Sequence, residues 1–318
     1  MTTGLRTRTQ LRSWSEQSGM LIIFVVLFCA CALFVENFFS LINMKGLALA
    51  VSMSGMVACP MLFCLASGDF DLSIGAIVAC AGVVAAMVSN ATASVMLGVL
   101  AGIAFGAIVG ALNGVVIAKF KINALIATLA AMQIVRGLGY IISGGNAVGI
   151  QAETFFKLGN AVWLGVSIPI WSTLTCFLVF GFVLNHTRFG RYTLAIGGNA
   201  EAARLSGVPV TRIKILIFML QGLVAGFAGV VLAARMTSGQ PMTAMGFELE
   251  VISACVLGGV SLAGGVGAMR HVIAGVLLLG MMQNAMNLLN VPPFYQYVAR
   301  GMILLVAVLL DRFKQARE

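Results

Sequence analysis

The sequence predicts an all-α, polytopic integral membrane protein of about ten transmembrane helices with both termini cytoplasmic. Three observations predict it. First, 60% of the 318 residues are hydrophobic and only 9% are charged, against roughly 25% charged residues in soluble globular domains. Too few charges remain to cover a water-facing surface, so membrane lipid is the main solvent. Second, stretches near the ~20 apolar residues that cross a ~30 Å hydrocarbon core recur along the chain. They are apolar at consecutive positions, as in Met20–Phe34 and Ser94–Ala118, whereas a transmembrane barrel needs ~10-residue alternating segments. Third, the basic residues are asymmetric. With the N-terminus inside, Lys45, Lys157, Arg235 and Arg300 fall outside, Arg136 falls within a segment, and the other fourteen of the nineteen Lys and Arg are cytoplasmic, as the positive-inside rule requires.

The ten segments run 20–35, 47–66, 72–89, 94–118, 123–143, 165–185, 213–234, 249–262, 272–290 and 297–311. Arg6, Arg8 and Arg12 precede the first in the manner of a signal peptide. However, Glu36 and a second apolar run follow with no A-x-A site, so the first segment is a retained helix. The second and third flank "ASGDFDLSIG" (66–75), which holds Asp69 and Asp71. The fourth carries Gly98, Gly102, Gly106 and Gly110 on one face, a spacing that lets helix backbones approach closely in lipid. The fifth holds Arg136, about 5 Å beyond its midpoint towards the outside. There it either snorkels to the interface or pairs with a carboxylate or a helix C-terminus, and it is a candidate for a substrate path. The eighth is too short to span alone and reads as a broken or tilted helix, with Glu248 and Glu250 as solvated charges at its outer end. The ninth places Gln283, Asn284, Asn287 and Asn290 on a broad face. These amides either bond neighbouring helices or form a wall for a neutral polyol, since amides both donate and accept.

Asp69, Asp71 and Ser73 alternate like a calcium loop. Yet position 6 is Ile74 and position 12 is Cys80, where that loop needs glycine and glutamate, so no metal is expected. On a continuous helix the two aspartates would face ~200° apart, so a helix break explains them better. Asp71 or Ser73 then caps the third segment. Asp69 is left without a partner, either in water at the cytoplasmic rim or lining a pore. The seven cysteines lie in apolar stretches without a C-x-x-C pair and read as buried free thiols. The net charge of +9 belongs to the basic loops rather than to nucleic acid. No Gly-Lys pair exists, so there is no phosphate-binding loop. The glycine-rich 258–267 stretch is a close-packing or broken-helix region. His186 and His271 form no catalytic cluster. The chain is not an enzyme and needs no cofactor.

The longest cytoplasmic loop, 186–214, contains a short helix with readable ends. Asn199 is its N-cap, Glu201 suits the first turn, Gly207 supplies a left-handed residue and Pro209 blocks continuation. Such a helix either rests at the lipid interface or docks in a groove of a soluble partner. "GRYTLAIGGNAEAARLSGVPVTRIKI" (190–215) resembles the coupling loop of bacterial ABC sugar-importer permeases of the ribose/arabinose/xylose type. "ASGDFDLSIGA" (66–76), "INALIATLAAMQIVRGLGYIISGG" (122–145), "VISACVLGGVSLAGGVGAMRHVIAG" (251–275) and "NLLNVPPFYQYVARGMILLVAVLLDR" (287–312) resemble that family in the same order. The stretches 43–73 and 234–243 point to its L-arabinose branch.

The resemblance implies one permease domain over 1–318, with cytoplasmic tails at 1–19 and 312–318 and the coupling loop at 186–214, in the bacterial inner membrane. It implies a cytoplasmic ATP-binding-cassette ATPase, a periplasmic sugar-binding protein and a second copy of the chain as partners. It places Gly198, Asn199, Glu201, Ala202, Ala203 and Arg204 at the ATPase contact, and lets Glu248 and Glu250 meet the binding protein. A small-molecule sugar would pass Asp69, Arg136, Gln283, Asn284 and Asn287 by alternating access. An ion-coupled secondary sugar carrier is the alternative, since deep ionisable groups serve as relays in such carriers.

Overall fold

The computed structural model describes residues 24–315. The N-terminal tail at 1–19, residues 20–23 of the first segment and residues 316–318 lie outside the described residues. A helix occupies each of the ten sequence segments. They are α1 (Phe24–Phe34), α2 (Leu41–Ala66), α3 (Ile74–Thr92), α4 (Val95–Ala118), α5 (Ala124–Ser143), α7 (Ile168–His186), α10 (Val210–Met236), α11 (Phe247–Leu257), α12 (Met269–Leu288) and α13 (Pro293–Gln315). Seven of them, α2, α3, α4, α5, α7, α10 and α12, are long and apolar enough to cross a membrane. Three short helices join them: α6 (Glu153–Asn160), α8 (Arg188–Gly198) and α9 (Ala200–Leu205).

Helix ends differ from the hydropathy limits where polar residues continue the helix. Ser40 accepts from the Asn43 amide at 3.2 Å, which starts α2 at Leu41, ahead of the apolar run. Apolar content marks the oil-facing length, while caps mark the helix length.

The core is α2 from Val51 to Ala66 and most of α3, with α10 across them. α10 also packs along α4. The glycine face of α4 makes this possible. A methyl on Gly106 or Gly110 would strike backbone of Gly222 or Phe218, and one on Gly222 would strike Gly106 and Gly110 in return. The two helices therefore meet backbone to backbone, the geometry that small-residue faces permit in lipid.

At one end, four two-residue strands tie loops together without changing the all-α class. β1 (Val148–Gly149) pairs antiparallel with β4 (Ser238–Gly239), and β2 (Val162–Trp163) with β3 (Val166–Ser167). All seven cysteines are free; Cys29 is exposed, Cys31 and Cys176 are half-buried and the other four are buried.

Candidate functional site

α11 is the element that organises the site. Its eleven residues span about 16 Å, half of a ~30 Å hydrocarbon core. Its first turn lies against α3, where the Glu248 carboxylate and the Ala244 carbonyl crowd Gly75. Beside that turn lies a cavity of about 280 Å³ between α2, α10 and α12. Its polar wall is Ser54, Thr243, Glu250, Gln283, Asn284 and Asn287, and its apolar wall includes Val78, Leu232 and Phe247.

The amides of α12 divide their duties. Asn284 and Asn43 exchange hydrogen bonds at 2.8 and 2.9 Å, joining α12 to α2. Asn287 accepts from Gln296 at 2.8 Å. Gln283 makes no hydrogen bond among the described residues and lines the cavity. Asn43 and Gln296 carry no sequence signal beyond being polar in an apolar context.

Glu250 also faces this cavity, which corrects the expectation of a solvated charge at a segment end. It pairs with Arg300 of α13 at 3.4 Å, with the two side chains about a quarter exposed. Arg300 thereby leaves the outer-surface set and lies over the Tyr297 ring, 4.9 Å from its centre. Sequence reasoning missed the pair because its members sit 50 residues apart. The signal available was a segment too short to span with carboxylates at its start.

Arg136 stands outside the cavity wall. Its guanidinium donates to the Pro241 and Thr243 carbonyls at 2.8 and 2.7 Å. Those carbonyls belong to the loop that enters α11, and Thr243 lines the cavity. Arg136 thus pins the loop that carries part of the wall, a use of its fixed fork of donors.

The break expected around Asp69 and Asp71 lies between α2 and α3. Asp71 is fully buried. Its Oδ1 accepts from the Ser73 amide at 2.9 Å and from the Ser73 hydroxyl at 2.6 Å. Asn113 donates to that hydroxyl at 2.9 Å, tying α4 to the start of α3. Burial pushes the Asp71 carboxyl up to about 6, against the two Ser73 hydrogen bonds that pull it down. Asp69 is 7% exposed and meets Lys214 of α10 at 2.7 Å. Burial raises its carboxyl, while the Lys214 charge works against that. Neither aspartate lines the cavity.

Three glycine-bearing turns converge beside this break. Gly197 packs against the Ala66 carbonyl and the Gly265 amide so closely that no Cβ fits. The Gly265 amide donates to the Ala66 carbonyl at 2.9 Å, and Gly264 touches Gly197 and Gly68. The end of α8, the end of α2 and the turn after α11 are therefore one packed node.

α9 follows directly. Asn199 caps it by accepting from the Ala202 amide at 2.9 Å. Gly207 has φ +85, and the Val208 amide returns to the Ala203 carbonyl at 3.0 Å, closing the helix by the left-handed route. Glu201 and Arg204 pair at 2.6 Å on the outside, which holds the Glu201 carboxyl below its usual range. Ala203 alone among the six helix residues is buried, while Glu201, Ala202, Arg204 and Leu205 form an open face beside exposed Gly198 and Asn199. Among the described residues no cluster of His, Cys, Asp and Glu could hold a metal ion.

A family model described as a branched-chain amino acid transport system permease component matches residues 43–308. The chain is 67% identical over 304 residues to the L-arabinose transport system permease protein AraH of Escherichia coli (strain K12), covering 96% of this chain and 92% of that one. It is 54% identical over 300 residues to the L-arabinose ABC transporter permease protein AraH of Azospirillum brasilense, covering 94% and 88%. It is 38% identical over 308 residues to the ribose import permease protein RbsC of Escherichia coli (strain K12), covering 96% of both. No solved structure matches it. With seven helices able to cross a membrane and these matches along almost its whole length, the chain belongs to the branched-chain amino acid transport system permease family.

Proposed function

We propose that this chain is the membrane-spanning subunit of an ATP-driven importer that passes a pentose, L-arabinose, into the cytoplasm. The observation that carries the reading is the cavity. Its open Gln283 amide, the Glu250 carboxylate and the Ser54 and Thr243 hydroxyls offer the mixed donors and acceptors that a neutral polyol needs. The relatives named for L-arabinose and ribose support the same reading.

In this reading the chain crosses the inner membrane ten times with both termini inside, forms one domain and works as a homodimer. A separate ATPase docks on Gly198, Asn199, Glu201, Ala202 and Arg204, around the buried Ala203. A periplasmic sugar-binding protein delivers the sugar from outside. Gln283, Asn284 and Asn287 border the path, Arg136 shapes its loop, and Asp69 ties the α2 end to α10. ATP shifts the permease between two states by stabilising one of them through the ATPase contact.

The test is uptake of labelled L-arabinose and of labelled leucine by cells lacking this chain and by cells given it back. Restored ATP-dependent L-arabinose uptake with no effect on leucine is expected. Restored leucine uptake alone, or L-arabinose movement driven by an ion gradient in vesicles holding only this chain, would overturn the reading.

A further inference from the structure

A second cavity, of about 130 Å³, lies between α11, α12 and α13. Glu250 and Gln283 line both cavities, so these two side chains form the wall between them. Arg300 and Tyr297 face the smaller one.

This wall is under-satisfied. A carboxylate offers about four acceptor sites and a guanidinium five donors, yet among the described residues Glu250 meets only the Ser54 hydroxyl and shares a single long contact with Arg300 at 3.4 Å. The Arg300 Nε is buried with no hydrogen-bond partner. Gln283 has none among the described residues. A guanidinium can match a carboxylate with two parallel bonds, and this pair leaves that match unmade. The Arg300 Nε is closed off from a guest, and the capacity left open where a guest must touch is that of the Glu250 carboxylate and the Gln283 amide. Sugar hydroxyls both donate and accept, so adjacent hydroxyls can give hydrogens to the carboxylate and take them from the amide. Glu250 is also the fourth residue of α11, where the helix dipole favours a negative charge. Its position is therefore set by a short rigid element.

We propose that Glu250 reads the hydroxyls of the passing sugar at the wall between the two cavities, and that Arg300 is the positioning residue that holds the carboxylate there. The proposal rests on the sugar-import reading above. It assigns the sugar contact to a charged residue of α11 in addition to the amides of α12.

The experiment uses the complete importer, with ATPase and binding protein, in proteoliposomes. It measures labelled L-arabinose imported per ATP hydrolysed. For Glu250→Gln, the sugar moved per ATP hydrolysed should fall about tenfold, the size of one hydrogen bond to a charged group. Glu250→Asp, which keeps the charge but shortens the reach, should fall less. Arg300→Lys, which keeps the charge but loses the fork, should lie between wild type and Glu250→Gln. A purely structural role would lower hydrolysis and uptake together, and that result overturns the proposal. So does an unchanged ratio in Glu250→Gln. If Glu250→Gln does not assemble, Glu250→Asp decides alone, and a wild-type ratio there is fatal. Failure of the wild-type complex to import L-arabinose with ATP would instead overturn the transport reading itself.

Discussion

Asp71 is held by one carboxylate oxygen and orphaned at the other. Oδ1 accepts twice from Ser73, while Oδ2 is buried with no hydrogen-bond partner. Ionising such a group costs free energy that only a partner could repay. Its carboxyl sits at about 6, above the ordinary 3.8, so between those values the folded state binds more protons than the unfolded one. Stability therefore falls as pH rises from about 4 to about 6, by up to about 3 kcal/mol. Asp71→Asn keeps an acceptor for Ser73 and has no ionisation to suppress. The detergent-solubilised wild type should melt higher at pH 5 than at pH 8, and Asp71→Asn should lose most of that difference. An equal pH dependence in both would show that Asp71 is not buried as described. The neighbouring Asp69 marks what a single chain conceals. Its partner Lys214 is a long-range contact, and in the sequence that lysine counts only as one more cytoplasmic charge.

Elements were legible where their determinants are local. The caps of α9 could be read because Asn199, Gly207 and Pro209 act on their own neighbours. Oil-facing length likewise marked ten helical segments. The glycine spacing of α4 announced a close contact but not its partner, because Gly222 and Gly226 sit among other small residues of α10. The deep start of α11 was hidden for a different reason. Glu248 and Glu250 look like surface charges, and only tertiary packing encloses them. The α4–α10 contact gives the prediction at this scale. In Gly222→Val the new Cβ meets the Gly106 carbonyl and lies 2.9 Å from the Gly110 backbone. Rigid helices cannot yield there, so the cost exceeds the ~1–3 kcal/mol of ordinary overpacking. Yield and thermal stability in detergent should collapse. Gly46→Ala, with nothing within 4 Å of its Cβ, should be neutral or stabilising by up to ~1 kcal/mol, the helix-propensity gain. Similar behaviour of the two variants would mean that α4 and α10 do not meet as described.

Across the whole molecule, one packed route joins the cytoplasmic-loop helix to the cavity. α9 follows the end of α8, whose Gly197 and Gly198 touch Gly264 and Gly265. Those glycines lie in the turn after α11, and α11 carries Glu250. The same node holds the end of α2 through the Gly265–Ala66 hydrogen bond, and the Asp69–Lys214 pair ties that end to α10. Packed interiors deform as units rather than continuously, so a push on α9 would arrive at α11 only if the node stays closed. This separates docking from transmission, and two substitutions divide them. Glu201→Trp alters the open face of α9 and leaves the node alone, so it should reduce ATPase association and uptake together. Gly197→Val leaves that face and the Asn199 cap intact, but its side chain cannot fit against Ala66 and Gly265. The ATPase should still co-purify with it, while L-arabinose uptake falls at least about tenfold, an energetic change of ~1.4 kcal/mol in the switching equilibrium. Gly46→Ala is the control, because it lies outside both the node and the α9 face and its Cβ meets nothing within 4 Å, and it should transport normally. Full uptake by Gly197→Val would show that the stroke reaches the cavity by another route. Loss of ATPase association in the same variant would show that docking depends on the node as well as on the α9 face.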